Sequence, residues 1–172
     1  MTQTPQQTSR RKIPLETQVS VFFRDGWLCY WCHQPTVFAP TLKHLQKLVK
    51  ESKYEHAFTY YDPHYRRDKA PLLDLLAATL DHVDAYSKGG IDAESNLVTA
   101  CNKCNIRKND RSALEYEKVN PARSVRSRYE EPKDWDGLVS LFVMIGRQHP
   151  DWLTPNEKKW LKAIEAFIVP KR

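Results

Sequence analysis

Four cysteines, one Asp-His pair and two asparagines carry the chemistry open to this chain. Cys29 and Cys32 form one CxxC pair, and Cys101 and Cys104 form a second. Asp81 stands directly before His82, Asn96 follows, and Cys104 leads straight into Asn105, Arg107, Lys108 and Arg111. A carboxylate and an amide oxygen suit a hard divalent cation such as Mg²⁺ or Mn²⁺. A neutral imidazole accepts protons near pH 7. Two CxxC pairs supply the four thiolates of a tetrahedral Zn²⁺ site. Two redox pairs or two disulfides are the alternatives. A redox CxxC belongs at a strand-to-helix turn of a βαβ unit, and neither pair lies in such a pattern. Four thiolates fill the shell of a zinc ion, so this zinc is a staple with no open position for catalysis. His33, next to Cys32, is then surplus as a ligand.

The order of these residues is more specific than any of them alone. Asp81-His82 closes an apolar run, Gly89-Gly90 makes a turn, Asn96-Leu97 opens a second apolar run, and the CxxC at Cys101 is followed by Asn105 and, three residues on, Lys108. This stretch, with Arg24 to Cys32, resembles the HNH endonuclease family. The resemblance implies an α+β fold with a ββα-metal core stapled by a four-cysteine zinc site. It implies His82 as the general base, and Asp81 and Asn105 as holders of a catalytic Mg²⁺ or Mn²⁺. Asn96 would tie the hairpin loop and orient the segment bearing His82. Lys88, Lys103, Arg107, Lys108 and Arg111 would grip nucleic-acid phosphates. The family often has a proline soon after the histidine, and Val83-Asp84-Ala85 has none.

The flanking elements must position this set. Val19, Phe22 and Phe23 suit one buried helical face over Leu15 to Arg24. Arg24-Asp25-Gly26 then turns the chain into the first CxxC, a tight knuckle packed by Trp27 and Tyr30. Trp31 reads as packing rather than as a base-stacking group. Pro40 to Ser52 reads as a helix with Thr41 as N-cap and Leu42, Leu45, Leu48 and Val49 as its apolar stripe. Tyr54, Phe58, Tyr60, Tyr61 and Tyr65 interleave with Arg66, Arg67 and Lys69, either as a nucleic-acid surface or, preferably, as part of a helical and aromatic insertion at 33–71 wrapped on its own core. Leu72 to Leu76 suits a short helical turn. Ala77 to Val83 reads as the first strand and Asn96 to Ala100 as the second. Adjacent strand side chains face opposite ways, so a regular strand cannot aim both Asp81 and His82 inward; it must end or distort there. Cys101 to about Glu117 reads as one helix, broken by Asn120-Pro121.

Three parts follow: a basic arm at 1–14, a nuclease domain at 15–120, and a linker with C-terminal helices at 121–172. The arm contacts phosphates or simply solubilises the chain. In the last part Trp135, Leu138, Leu141, Phe142 and Ile145 make one stripe, and Trp160, Leu161, Ile164, Phe167 and Ile168 a second. Thr154-Pro155-Asn156-Glu157 is a capping box with proline at the first helical position. These helices pack on the core or on each other, or serve a homodimer or protein partner.

The 172 residues carry a net charge of +6 and a pI near 9.1, which favours a polyanionic partner. Between Cys101 and Arg128 eight basic residues face three acidic ones, so most of the excess charge lies just after the proposed site. No apolar run approaches the roughly 20 residues of a membrane helix, and the polar start lacks a secretory signal, which places the chain in the cytoplasm. The sequence thus leads to a metal-dependent endonuclease acting on double-stranded DNA. The alternatives are a zinc-stapled nucleic-acid-binding module without turnover, or a nuclease subunit active only within a larger complex.

Overall fold

Helical spacing turns Val19, Phe22 and Phe23 to one side of the first helix, α1 (Leu15–Arg24), and that side packs inward. The computed structural model describes residues 12–51, 72–120 and 134–168. Of the expected elements, most of the basic arm, the aromatic run at 54–65 with its basic neighbours, and the linker at 121–133 lie outside these residues. The second helix, α2 (Ala39–Glu51), begins earlier than its sequence suggests. Thr41 is therefore not its N-cap. It is buried within the first turn and donates its hydroxyl to the Leu138 carbonyl at 3.1 Å. Leu42 is buried, whereas Leu45, Leu48 and Val49 are only half-buried; His44 and Gln46 take the remaining inner positions.

A 3₁₀ turn, Leu72–Leu76, leads into β1 (Ala78–His82). β1 pairs antiparallel with β2 (Leu97–Cys101), with Ala78 opposite Cys101, Asp81 opposite Val98 and His82 opposite Leu97. α3 (Asn102–Lys108) follows β2 without a loop. The helix expected to run from Cys101 to about Glu117 is in fact two. It stops at Asn109, whose φ is +52°, and α4 (Ala113–Val119) restarts behind a second capping box. There the Glu115 amide donates to Ser112 Oγ and the Ser112 amide donates to the Glu115 carboxylate. The Ser-x-x-Glu pattern makes a helix start more favourable at Ser112 than continuation through Asn109-Asp110.

α5 (Val139–Gln148) and α6 (Pro155–Ile168) complete the described elements. The box at Thr154 and Glu157 forms, with the Thr154 amide donating to Glu157 Oε2 at 2.7 Å. The other carboxylate oxygen accepts from Lys43 Nζ, tying α6 to α2. These helices share one core with α1: Val19, Phe22, Trp27, Phe38, Val139, Phe142, Leu153 and Ile164 are buried together. Trp27 thus belongs to this aromatic core, 5.0 Å from Phe22 and 6.0 Å from Phe38 between ring centroids, and not to the knuckle. A second core gathers Cys29, Trp31, Val98, Ala100, Cys101, Cys104 and Tyr116 around the thiols.

The knuckle is sewn to β2. The Thr99 amide donates to Asp25 Oδ2 at 2.7 Å, and the Tyr30 amide donates to the Thr99 carbonyl at 2.8 Å. Arg24 donates to the carbonyls of Glu94 and Leu97 from the end of α1. Among the described residues no helix is long and apolar enough to cross a membrane.

Gly137 lies in the left-handed region at φ +68°, and a Cβ there would strike the Trp27 ring. Gly26, at φ +59°, has open space instead. Gly137→Ala is expected to cost about 2–4 kcal/mol, combining left-handed strain with overpacking. Gly26→Ala should cost only the backbone part, roughly 1–2 kcal/mol. Urea unfolding of the two variants side by side measures the difference.

Candidate active site and metal centre

The staple is built from two turns and two element ends. Cys29 and Cys32 sit on the knuckle after α1, Cys101 is the last residue of β2, and Cys104 lies in the first turn of α3. All four Sγ atoms lie within 4.8 Å of one another, and Cys32 and Cys101 are 3.8 Å apart. Zinc–thiolate bonds of about 2.3 Å give a tetrahedron with edges of roughly 3.8 Å, so the set fits Zn²⁺. Contacts with Cys101 and then Cys104 hold the Cys29 and Cys32 thiols below the ordinary range. Contacts with Cys104, Cys29 and Cys32 push Cys101 far above it. Crowded thiols ionise only at each other's expense, and a divalent cation at their centre removes that conflict. His33 is not one of the cluster.

Asp81 is buried on the α3 side of β1. Its Oδ2 accepts from Trp31 Nε1 at 2.7 Å, and its Oδ1 accepts from the His82 amide at 2.8 Å and from Lys108 Nζ at 3.3 Å. Burial pushes its carboxyl upward, against the Lys108 charge and the Trp31, Lys108 and His82 hydrogen bonds. Lys108 is 0% exposed, donates to the His82 carbonyl, and lies 5.3 Å from the Trp31 ring centroid. It is therefore not a phosphate contact: its ammonium is buried against the end of β1. α3's inward positions recur at Cys104, Asn105 and Lys108, which turns this lysine toward β1 and away from solvent.

Asn105 lies one turn before Lys108 on that same face. Its amide nitrogen donates to Thr79 Oγ1 at 3.0 Å and to the Leu80 carbonyl at 3.2 Å, which leaves its oxygen turned away from these two partners. A carboxylate offers about four lone-pair positions, and three donors reach Asp81. Among the described residues no donor reaches the remaining position on Oδ2.

His82 ends β1, and its side chain has a different partner from that of Asp81: its Nε2 lies 2.7 Å from Asp92 Oδ1. Asp92 was not singled out in the sequence; its one signal is a carboxylate in the loop that the Gly89-Gly90 turn folds back toward His82. Asn96 holds that loop: its Oδ1 accepts from the Asp84 amide at 2.9 Å, and its Nδ2 donates to the carbonyls of Asp84 and Ile91. Gly90 passes so close to the Asp84 carbonyl that any Cβ there would strike it. The loop borders an open cleft of about 520 Å³ with Asp84, Lys88, Asn96 and Ser112 on its walls.

Of the expected phosphate-binding cations, Lys103, Arg107 and Arg111 are exposed on α3 and just beyond it. Arg111 donates to the Arg107 carbonyl, and Lys88 pairs with Glu115 at 2.9 Å.

With a two-stranded sheet running directly into a helix, and a four-thiol cluster at their junction, the unit has the shape of a ββα-metal motif. Residues 70–111 match the HNH endonuclease family model. This segment carries an HNH domain. Comparison with curated proteins and with solved structures finds no match. The HNH domain points to nuclease-type activity on nucleic acid and to a divalent metal, and the cysteines to zinc.

Two outcomes are expected at this site. Cys101→Ser should reduce bound zinc from one per chain to well below one, measured by atomic absorption, and lower the melting temperature. Lys108→Met should cost about 3–5 kcal/mol, because it leaves the Asp81 carboxylate buried beside no cation. Adding Asp81→Asn should recover part of that loss, measured by denaturant unfolding in saturating zinc.

Proposed function

We propose that this chain is a metal-dependent endonuclease that hydrolyses phosphodiester bonds in double-stranded DNA. The reading rests chiefly on one arrangement: an imidazole at the end of β1, in an HNH domain, with the carboxylate of Asp81 and the amide of Asn105 beside α3.

Hydrolysis requires a water to lose a proton, charge on the phosphoryl oxygens to be offset, and a leaving oxygen to be neutralised. His82 takes the proton, the role of a general base that histidine most often fills. Asp81 and Asn105 are the residues that would hold Mg²⁺ or Mn²⁺, which would supply Lewis acidity to the phosphoryl and leaving oxygens. Asn96 fixes the loop that faces His82 and so acts through position. The exposed Lys103, Arg107 and Arg111, with Lys88 at the cleft, seat the phosphates on either side of the scissile bond. Lys108 instead holds the Asp81 carboxylate and the His82 carbonyl, and so sets the end of the strand.

Zinc-loaded protein should relax supercoiled plasmid with Mg²⁺ or Mn²⁺ and not with a chelator selective for those ions. His82→Ala should lower the rate by at least about 10²-fold, the usual contribution of a general base, with zinc content unchanged. Salt-sensitive DNA binding without any cutting by the zinc-replete wild type would instead identify a binding module.

A further inference from the structure

We propose that Tyr116 is a positioning residue of the thiol cluster, its hydroxyl donating to Cys104 Sγ when the four cysteines hold zinc. It stands on the cysteines as a zinc site and is separate from the nuclease reading.

Tyr116 lies on α4, only 2% exposed, in the core that also buries Cys29, Trp31, Val98, Ala100, Cys101 and Cys104. Its ring meets that of Trp31 edge to face, with centroids 5.4 Å apart. Its hydroxyl is buried as well and makes no hydrogen bond among the described residues. A buried hydroxyl without a partner forfeits the bonds it made in water, so native proteins rarely leave one. Of the other side chains buried in this core, valine and alanine accept nothing, and an indole N–H only donates. The Trp31 N–H is already given to Asp81. The sulfurs are the acceptors that remain among these side chains.

Of the four cysteines, Cys104 acts most strongly on this hydroxyl, and Cys29 next. Cys101 Sγ already accepts from the Cys104 amide at 3.4 Å. Tyr116 brings the matching donor to Cys104 from α4, the helix that restarts behind Ser112. A zinc-bound thiolate has lone pairs and no hydrogen of its own, so toward a hydroxyl it only accepts. Such a bond spreads the charge on sulfur, fixes the orientation of the ligand and strengthens its hold on the metal. It also ties α4 to the staple, although none of the four zinc ligands lies on that helix.

The test uses the full-length chain loaded with zinc, and separately with Co²⁺, as wild type and as Tyr116→Phe. Phenylalanine keeps the ring and its packing on Trp31 and removes the hydroxyl alone. Competition with a chromophoric chelator should show zinc held about 10–100-fold more weakly in Tyr116→Phe, the usual effect of losing a hydrogen bond to a metal ligand. The thiolate-to-Co²⁺ charge-transfer band should move to longer wavelength, because a sulfur without that donor gives up an electron more easily. A role in packing alone would move neither readout. Equal zinc affinity and an unmoved band in the two proteins, each holding one zinc per chain, would overturn the role of Tyr116 and leave the zinc site intact. Tighter zinc binding in Tyr116→Phe would overturn it too. A wild type that binds no zinc would remove the site itself, and this role with it. Nuclease activity enters none of these readouts, so its absence would leave the role of Tyr116 standing.

Discussion

Four thiols cannot ionise side by side within a few ångströms unless a cation neutralises them, and the HNH unit is built around that constraint. Two five-residue strands and a seven-residue helix are far too small to hold a shape by their own burial. Zinc binding supplies folding free energy directly to such units. Cys101 concentrates the effect in one residue. It closes β2 opposite Ala78, its Sγ accepts from the Cys104 amide at the start of α3, and it belongs to the metal cluster. Strand, helix and knuckle are therefore fixed to each other at one atom, and the face of α3 turned toward β1 follows from it.

Beneath β1 lies a second constraint. Trp31 leaves the knuckle one residue before Cys32 and donates to Asp81, which also accepts from Lys108. A buried ion pair is weak evidence of stability, because desolvation offsets much of the attraction. Its worth here is directional. Indole, ammonium and backbone amide arrive from three different segments, and together they leave the carboxylate no second orientation. The staple and the candidate catalytic carboxylate are thus joined through a single tryptophan.

Much of this was legible in the sequence because periodic burial and metal spacing are local signals. The two strands, α1, the thiol set and the capping box at Thr154 are all written in short runs. Lys108 shows where the reading stopped. Its place in a basic run suggested solvent and phosphate, yet its spacing of seven from Cys101 and four from Cys104 puts it on the buried side of α3. Metal-ligand cysteines mark the inward face of a helix as surely as leucines do. Thr41 shows the converse, a good capping residue drawn inside because its hydroxyl finds the Leu138 carbonyl across the core. Asp92 had no periodic context at all, since a carboxylate in a loop acquires meaning only once the loop folds back on His82.

The contacts that hold the knuckle to β2 have a further consequence. A two-stranded sheet has two open sides, and each exposes a row of unpaired amides and carbonyls on which another chain can add a strand. Here Thr99 has both its amide and its carbonyl taken, by Asp25 and by Tyr30, while the Ala78 amide donates to the Val37 carbonyl on the opposite side. Small as it is, the sheet is thereby guarded along both margins against strand-swapped association. On the β2 side that protection comes from the segment that carries Cys29 and Cys32, so the thiol cluster and the covered strand edge share one stretch of chain.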